Sequence, residues 1–187
     1  MEDIIKCDKE LLIYLNNLGS EQWDWLWLAI TNQFNWTPLF IFMLYLVFKH
    51  LGLKKGLFTV VFIALLITFS DQYTNLIRGV FERLRPNNDP SIAQNTLRRL
   101  IKPQSFSFTS GHATTSTVVT VFLIMLLKEK FKYVKLLLFF PLVFAYSRLY
   151  LGVHFPIDIL AGFLNGTIVG FIAYSFYSFL LKKIFNK

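Results

Sequence analysis

The sequence predicts an all-α fold, a polytopic transmembrane helical bundle of about five spans preceded by an N-terminal amphipathic interfacial helix. Three observations predict it. The 187 residues are 55% hydrophobic and 18% aromatic, their mean hydropathy is +0.50, and long apolar runs alternate with short lysine-rich connections. This composition lies outside the usual range of soluble domains. We therefore expect a single membrane-embedded domain over residues 1–187.

The N-terminal segment is predicted to lie in the membrane interface. Residues 3–18 carry apolar side chains at helical spacing among charged ones, which is typical of an amphipathic helix and too polar to cross a bilayer. The first residues are acidic and lack the basic start and apolar core of a signal peptide, so no cleavage is expected. We interpret residues 1–22 as an interfacial segment.

Five apolar stretches then follow, each close to the roughly 20 residues that a helix needs to cross a bilayer. Polar residues interrupt the first stretch, for which the alternative is an interfacial helix followed by a short span. Four tryptophans at its outer end fit an aromatic belt: Trp23, Trp25, Trp27 and Trp36. The predicted crossings are 25–48, 56–79, 111–127, 133–151 and 156–181.

The distribution of charge predicts the orientation of the bundle. The connections 49–55 and 128–135 and the tail 182–187 fall on one face and hold ten lysines against one acid, Glu129. The positive-inside rule makes that face cytoplasmic, so the net charge of +8 reflects topology rather than nucleic-acid binding. The loop 80–110 falls on the outer face, and its length and turn-forming residues are typical of a functional loop.

Three clusters of polar residues lie toward the outer ends of the predicted spans. A helical bundle brings such clusters to one depth, and charged groups at that depth usually face a cavity or a substrate path. The pattern therefore predicts one outer site. Its members are Arg78 and Arg85 in the first cluster, Ser110, Gly111 and His112 in the second, and Arg148, His154 and Asp158 in the third.

The residue types of these clusters favour phosphoryl transfer. Three arginines offer planar charged forks that match phosphate oxygens, and a helix beginning at Gly111 adds free backbone N–H groups. Asp158, four residues after His154, can accept from one ring nitrogen and leave the other as a nucleophile, while His112 can protonate a leaving oxygen. The sequence offers neither a carboxylate-rich magnesium site nor the cysteine and histidine spacings of zinc.

The same residues carry a resemblance to a known family. In order and spacing they resemble the three-part signature of the type 2 phosphatidic acid phosphatase superfamily, the membrane lipid-phosphate phosphatases related to the vanadium haloperoxidases. The resemblance covers most of the chain from about the second predicted span onward. The matching motifs are Arg78-x6-Arg85-Pro86, Ser110-Gly111-His112 and Ser147-Arg148-x5-His154-x3-Asp158.

The resemblance implies a role for each matching residue. His154 is the expected nucleophile, Asp158 its orienting partner and His112 the general acid. No metal or other cofactor is expected. The resemblance also implies a set of residues that hold the phosphate, namely Arg78, Arg85, Arg148, Ser110 and Gly111.

Some positions depart from the pattern or lie outside it. The family usually has lysine at the place of Arg78 and proline at the place of Thr109, and the first exchange keeps the charge but changes its hydrogen-bond geometry. Asp71, seven residues before Arg78, is interpreted as a tether for that arginine, with a buried neutral acid as the alternative. Three further cations are interpreted as surface charges that meet anionic lipid headgroups: Arg98, Arg99 and Lys102.

The resemblance implies an integral phosphatase of the bacterial cytoplasmic membrane that hydrolyses a lipid phosphomonoester or pyrophosphate at the outer face. Undecaprenyl pyrophosphate and the glycerophospholipid phosphates, phosphatidylglycerol phosphate and phosphatidic acid, rank first among substrates on family analogy, and the lipid A phosphatases of the superfamily are similar too. Two alternatives remain: a lipid phosphotransferase with the same phosphohistidine, and a transporter or lipid-binding protein with an anion site. The oligomeric state is left open.

Overall fold

The computed structural model of the chain describes residues 2–92 and 96–185, and every regular element in these ranges is a helix. The prediction of an all-α fold is confirmed. Residues 93–95 of the predicted outer loop and Lys187 of the lysine-rich tail lie outside the described residues. The helices are α1 (Glu2–Asn17), α2 (Glu21–Thr31), α3 (Thr37–Phe81), α4 (Gly111–Leu127), α5 (Phe139–Tyr150) and α6 (Pro156–Phe185), with 3-10 helices at Gln33–Trp36 and Val134–Leu138.

Two helical stretches in the described part of the chain are long and apolar enough to cross a membrane, Gln33–Phe81 and α6, and α4 is a shorter apolar helix. A kink at Gly52 divides α3 into a first arm, residues 37–51, and a second arm, residues 53–81. Gly52 has a φ of 71°, in the left-handed region that favours glycine. The kink falls in the predicted lysine-rich connection 49–55, so the second arm corresponds to the predicted crossing 56–79.

Two predicted crossings are not single α-helices. The stretch 25–48 is interrupted after α2, because the side chain of Asn32 accepts a hydrogen bond from the N–H of Phe34 and starts a 3-10 helix. This helical pattern agrees with the alternative of an interfacial helix followed by a short helix. In the stretch 133–151 a 3-10 turn precedes α5, and the two together extend about 28 Å.

Helices α4 and α6 pack in parallel along a row of three glycines on α6. A Cβ atom at Gly162, Gly166 or Gly170 would lie between 2.6 and 2.8 Å from an atom of α4, so a larger residue would push the two helices apart. Rows of small residues allow this close approach between membrane helices. Because the helices run in parallel, their first turns lie side by side, and the backbone N–H of Ser110 donates to the carbonyl of Asp158 at 3.1 Å.

The second arm of α3 runs antiparallel to α4 and α6. Near its start Thr59 is 2.6 Å from the hydroxyl of Tyr177, and further along Ser70 is 2.9 Å from the hydroxyl of Thr115. Helix α5 ends only a few residues before α6 begins. The ends of the second arm and α5 and the starts of α4 and α6 therefore meet at one end of the bundle, which we call the site end.

Helix α1 also lies at the site end. Its buried residues are Asp8, Leu12 and Asn16, spaced one helical turn apart. The side chain of Asn16 donates to the carbonyl of Tyr150 at the end of α5, at 2.6 Å. Leu12 packs in an apolar cluster of the bundle, whereas other apolar side chains of α1 are exposed, namely Ile4, Ile5, Leu11 and Tyr14. The predicted helix is thus present, and its apolar side chains divide between the bundle and the outer surface.

The four tryptophans of the predicted aromatic belt differ in their contacts. Trp23 and Trp25 are exposed. Trp27 instead stacks on the ring of Tyr150 at 5.1 Å, and Trp36 contacts Phe140 edge-on at 4.7 Å. The sequence does not reveal these two contacts, because helical spacing alone does not show which face of a helix meets a neighbour. The belt itself stays a prediction.

Candidate active site

A cavity of about 730 Å³ lies between the two arms of α3, α4 and α5. Most of its wall is apolar, from residues such as Met43, Ile63 and Leu123. Its polar part is at the site end and contains members of all three predicted clusters. The predicted residues that line it are Asp71, Arg78, Arg85, Gly111, His112, Arg148 and His154.

His154 lies in the short connection before α6, and its side chain is 1% exposed. Its Nε2 atom is 3.1 Å from Nη1 of Arg85. A guanidinium can only donate, so Nε2 must accept and the ring proton is on Nδ1. Nδ1 faces Oδ2 of Asp158 at 3.4 Å, longer than an ordinary hydrogen bond. Burial lowers the pKa of His154 to about 3, which keeps the ring neutral at physiological pH.

Asp158 is fully buried behind His154, in the first turn of α6. Its Oδ2 atom accepts a hydrogen bond from the backbone N–H of Phe155 at 2.9 Å. Its Oδ1 atom accepts from Nη1 of Arg83 at 2.7 Å. The carboxylate is therefore fixed in orientation before it meets the imidazole ring.

Arg85 is the arginine that contacts His154, and only neutral acceptors hold it in place. Its Nε donates to the carbonyl of Ser105 at 2.7 Å and its Nη2 to the hydroxyl of the same residue at 2.9 Å. Its Nη1 donates to the carbonyl of Val153 at 3.0 Å. Burial and the neighbouring Arg78 lower the pKa of Arg85 to about 10, so the group stays charged at neutral pH.

Arg78, at the end of the second arm, has neutral partners as well. Its Nε donates to the carbonyl of Thr109 at 3.1 Å and its Nη1 to the side-chain oxygen of Asn75 at 3.2 Å. A Cβ atom at Gly111 would lie 2.9 Å from Nη2 of Arg78. Glycine at this position therefore allows the guanidinium to rest against the start of α4.

Arg148 completes the group of cavity arginines. Its Nη1 donates to the hydroxyl of Thr31, at the end of α2, at 2.5 Å. No described carboxylate lies within 4 Å of a cationic nitrogen of Arg78, Arg85 or Arg148. Three cations without a paired anion give this part of the cavity a strong preference for a negatively charged group.

The start of α4 forms another part of the wall. Ser110 is the N-cap residue, and its hydroxyl accepts from the N–H of Ala113 at 3.4 Å. The side chain of Ser110 is fully buried in this cap and is not part of the cavity lining. His112 lines the cavity, and its ring stacks on that of Phe144 at a centroid distance of 4.8 Å.

Asp71 reaches Arg78 indirectly. Its Oδ2 accepts from the side-chain amide of Asn75 at 3.2 Å, and the amide oxygen of Asn75 accepts from Arg78. Asp71 is exposed rather than buried, so the alternative of a buried neutral acid is wrong. Within the described residues, no group of three or more His, Cys, Asp and Glu side chains is arranged to hold a metal ion.

Arg98 was interpreted as a surface charge, but its guanidinium has partners within the protein. Its Nη2 donates to both carboxylate oxygens of Asp24, at 2.7 and 2.8 Å, and its Nη1 lies 3.2 Å from the hydroxyl of Tyr150. The arginine ties the outer loop to α2 and α5. Arg99 donates to the carbonyl of Ile92 at 3.4 Å. Arg98 and Arg99 thus have partners within the protein that their positions in the sequence do not reveal, whereas Lys102 is exposed.

Some residues around the site were missed by the sequence analysis. Only a weak feature of the sequence pointed to a role for Arg83 at the site. It lies two residues before Arg85, among loop charges that topology does not explain. Asp8 and Thr31 had no such feature, because each reaches the site from an element far away in the chain. Ser105 lies within the predicted functional loop 80–110, but nothing in the sequence singled it out as a partner of Arg85.

An all-helical protein with apolar helices of membrane length, and with two histidines and three unpaired arginines around one cavity, is a membrane protein with a site for anion chemistry. The chain belongs to the PAP2 superfamily, whose family profile matches residues 55–182. The resemblance given by the three motifs is thereby confirmed, and so is the expected class of enzyme, a phosphatase of the lipid-phosphate type.

Individual relatives are known phosphatases. The chain is 34% identical to the lipid A 4'-phosphatase of Bacteroides thetaiotaomicron over 181 residues, which cover 93% of this chain and 78% of the relative. It is 28% identical to the undecaprenyl-diphosphatase of Sulfolobus acidocaldarius over 164 residues, 87% of this chain and 68% of the relative. The fold is similar to that of a transmembrane PAP2-type phosphatidylglycerolphosphate phosphatase from Bacillus subtilis, with a TM-score of 0.74, 21% identity and coverage of 96% of this chain and 89% of that one.

Proposed function

We propose that this protein hydrolyses a lipid phosphate through a phosphohistidine intermediate at His154. The observation that carries the proposal is the protonation pattern of that residue. Nε2 holds the lone pair inside the arginine-lined cavity, and the proton on Nδ1 faces a buried carboxylate. A neutral histidine oriented in this way is a nucleophile that needs no prior deprotonation.

In the first step, Nε2 of His154 attacks the phosphorus of the bound lipid phosphate in line with the leaving oxygen. The P–N bond forms as the P–O bond to the lipid breaks, and His112, which enters this step as an imidazolium, protonates the leaving oxygen. The ring of His154 becomes positively charged in this step. Asp158 stabilises that charge through Nδ1, as the acid of a catalytic triad stabilises its histidine.

In the second step, water attacks the phosphohistidine from the side the lipid has left. His112, now neutral, accepts a proton from the water, the P–N bond breaks, and inorganic phosphate is released. The enzyme returns to its starting protonation state. His112 is suited to both proton transfers because it lines the same cavity as His154 and is held by its stacking on Phe144.

The phosphate oxygens are bound by Arg78, Arg85 and Arg148 and by the backbone N–H groups at the start of α4. The arginines supply the positive charge that a metal ion supplies in other phosphatases, and we propose that the reaction is metal-independent. Ser110 supports this site by capping α4 with its hydroxyl rather than by contacting the phosphate. Asp71 orients Arg78 through Asn75. The apolar part of the cavity accommodates acyl or prenyl chains.

The spacing of charges along the helices supports five crossings with the site at the level of the headgroups. Along the second arm, Lys55 and Arg78 are separated by about 35 Å. Along α6, Asp158 and Lys182 are separated by about 36 Å. Both distances slightly exceed the roughly 30 Å of a hydrocarbon core, so each helix places lysines at one interface and site residues at the other. The spans are the two arms of α3, α4, α5 with its 3-10 turn, and α6.

The orientation follows from the lysines. We propose a multi-pass protein of the bacterial inner membrane with its C-terminus in the cytoplasm and its site open to the periplasm or exterior. The predicted interfacial segment, residues 1–22, lies at the outer face, since α1 packs at the site end and exposes apolar side chains such as Ile4 and Tyr14.

Among the possible substrates, the 4'-phosphate of lipid A ranks first. The lipid A 4'-phosphatase of Bacteroides thetaiotaomicron aligns over 93% of this chain, whereas the undecaprenyl-diphosphatase aligns over less of it and at lower identity. Undecaprenyl pyrophosphate, phosphatidylglycerol phosphate and phosphatidic acid are the competing substrates. All four present a terminal phosphate next to apolar chains, which is what this cavity fits.

The decisive experiment measures phosphate release by the detergent-purified protein in the presence of a chelator, with each of the four lipids in turn. We expect release from at least one lipid and none from the His154→Ala variant, whose folding is checked by its thermal melting. Rapid quenching of the wild-type reaction with labelled lipid is expected to trap an acid-labile, base-stable phosphoenzyme.

The opposite outcomes are equally clear. Turnover that survives in His154→Ala, or that stops in chelator and returns with a metal, would overturn the mechanism. A phosphoenzyme that releases phosphate only when a second lipid or sugar is added would identify a phosphotransferase. Lipid binding without release or labelling would identify a non-catalytic anion site.

A further inference from the structure

A fourth arginine reaches the site from behind. Arg83 lies in the outer loop, and its guanidinium forms two ion pairs: Nη1 with Oδ1 of Asp158 at 2.7 Å, and Nη2 with Oδ2 of Asp8 at 2.6 Å. The guanidinium carbon lies 4.0 Å from the centre of the Phe155 ring. Arg83 therefore bridges a carboxylate of α1 and the buried carboxylate that faces His154.

Asp8 is buried and hydrogen-bonded to a backbone N–H, as Asp158 is. Its side chain is 1% exposed, and its Oδ1 atom accepts a hydrogen bond from the backbone N–H of Ile157 at 2.9 Å. Ile157 is in the first turn of α6, where N–H groups have no partner within the helix. The carboxylate of Asp8 thus caps α6 from another helix, α1. The same carboxylate binds Nη2 of Arg83.

The charges in this chain of contacts alternate. Asp8 is negative, Arg83 positive and Asp158 negative, and the next group is the proton-bearing Nδ1 of His154, 3.4 Å away. Burying Asp158 alone beside a neutral histidine would be costly, and the guanidinium offsets that cost. Asp8 in turn neutralises Arg83, so Asp158 keeps enough negative charge to stabilise an imidazolium.

We propose that Asp8 and Arg83 are positioning residues that hold Asp158 against His154, and that α1 thereby completes the active site. The inference rests on the proposed role of His154 as nucleophile. Asp8 lies outside residues 55–182, the part of the chain that the PAP2 profile matches. The helix that carries it acts through an ion pair rather than by contact with substrate.

The test compares Arg83→Ala with Arg98→Ala in the full-length protein. Arg98 is a matched control, because it also joins the outer loop to an N-terminal helix through an arginine–aspartate pair, with Asp24, and it has no contact with Asp158. The substrate is the lipid that the wild-type protein hydrolyses fastest of the four. Steady-state rates, inhibition by inorganic phosphate, and the rate of phosphohistidine formation in a single turnover are measured for each variant.

We expect Arg83→Ala to lower kcat and the rate of phosphohistidine formation by about 100-fold, the upper range for a group that orients a reacting side chain. The KM and the inhibition constant of inorganic phosphate are expected to change less than about threefold, because the cavity arginines remain. Added guanidinium is expected to restore part of the kcat of Arg83→Ala and none in Arg98→Ala. Asp8→Asn, which keeps the shape of the side chain, is expected to lower kcat by about tenfold.

Two results would overturn the inference. One is a kcat of Arg83→Ala and Asp8→Asn equal to that of Arg98→Ala. The other is a loss of kcat accompanied by an equal loss of phosphate affinity and thermal stability, with no response to guanidinium, which would show a structural role alone. Failure of the proposed function is recognised separately, since the wild-type protein would then form no phosphohistidine or His154→Ala would remain active.

Discussion

The arginines at the site end fall into two groups that differ in their partners. Arg78, Arg85 and Arg148 line the cavity and donate to carbonyl, hydroxyl, amide and imidazole groups. Arg83 and Arg98 lie outside the cavity lining and donate to carboxylates. The residue type is the same, and the partners decide the role. A guanidinium held by neutral acceptors keeps its charge available to an anion, whereas one held by a carboxylate joins two elements of the fold.

The largest expected effect comes from removing a cavity arginine that also contacts the nucleophile. Arg85→Ala removes a cation from the phosphate site and the hydrogen bond to Nε2 of His154. We expect kcat/KM to fall by about 1,000-fold, since an oxyanion donor contributes about 100- to 1,000-fold and binding of the ground state is weakened too. Steady-state kinetics on the folded variant provide the measurement, and a loss below tenfold would contradict the assignment of Arg85 to the phosphate site.

A sharper test gives a cavity arginine a carboxylate partner, as Arg83 and Arg98 have. Ser105→Asp places a carboxylate beside Nη2 of Arg85, in place of the hydroxyl that now lies 2.9 Å away. We expect KM to rise by about 10- to 100-fold, because the new ion pair competes with the phosphate for the guanidinium. Ser105→Asn is the control of similar shape without the charge. Equal KM values for the two variants would show that pairing with a carboxylate does not decide whether an arginine binds the phosphate.

A smaller effect is expected from Gly111→Ala. The new Cβ atom would lie 2.9 Å from Nη2 of Arg78, so the guanidinium has to move away from the start of α4. We expect about a tenfold higher KM with little change in thermal stability, because the displaced atoms are at the flexible end of a side chain. The inhibition constant of inorganic phosphate is the direct measurement. An unchanged constant would remove Arg78 from the set of phosphate ligands.

The smallest effect on catalysis is expected from Arg98→Ala. Its pair with Asp24 lies between the outer loop and α2, away from the cavity lining. We expect kcat/KM to change less than about twofold and the free energy of unfolding to fall by about 1 kcal/mol, as for a partly exposed ion pair. Thermal melting and kinetics on the same preparation separate the two quantities. A large loss of activity without a loss of stability would contradict the division into cavity arginines and carboxylate-paired arginines.

The sequence predicted the members of the cavity well, for a physical reason. Helices that cross a bilayer have nearly fixed length, so charged residues at the ends of different spans come to the same depth. Arg78, His112 and His154 line one cavity although they are far apart in the chain. The kink at Gly52 also fell within the predicted connection.

The partners of the charged side chains were harder to predict from the sequence than the positions of those side chains. The lysine-free acidic stretch around Asp24 gave no sign that it would pair with Arg98, and the helical periodicity of α1 pointed to its apolar face rather than to Asp8. Periodicity reports which residues share a face, and it does not report which face meets the protein. The break in the stretch 25–48 was expected only as an alternative, since the turn at Asn32 depends on one side-chain hydrogen bond.

The sequence by itself determined the all-helical class, the family and the ionisable residues that line the cavity, because these follow from apolar length and from motif spacing, which are properties of local sequence. The tertiary structure decided which cations stay free to bind an anion and which are taken up by carboxylates. It also decided that Asp8 lies behind Asp158. Those outcomes depend on distances between side chains that are remote in the chain, and only the packing of the helices fixes such distances.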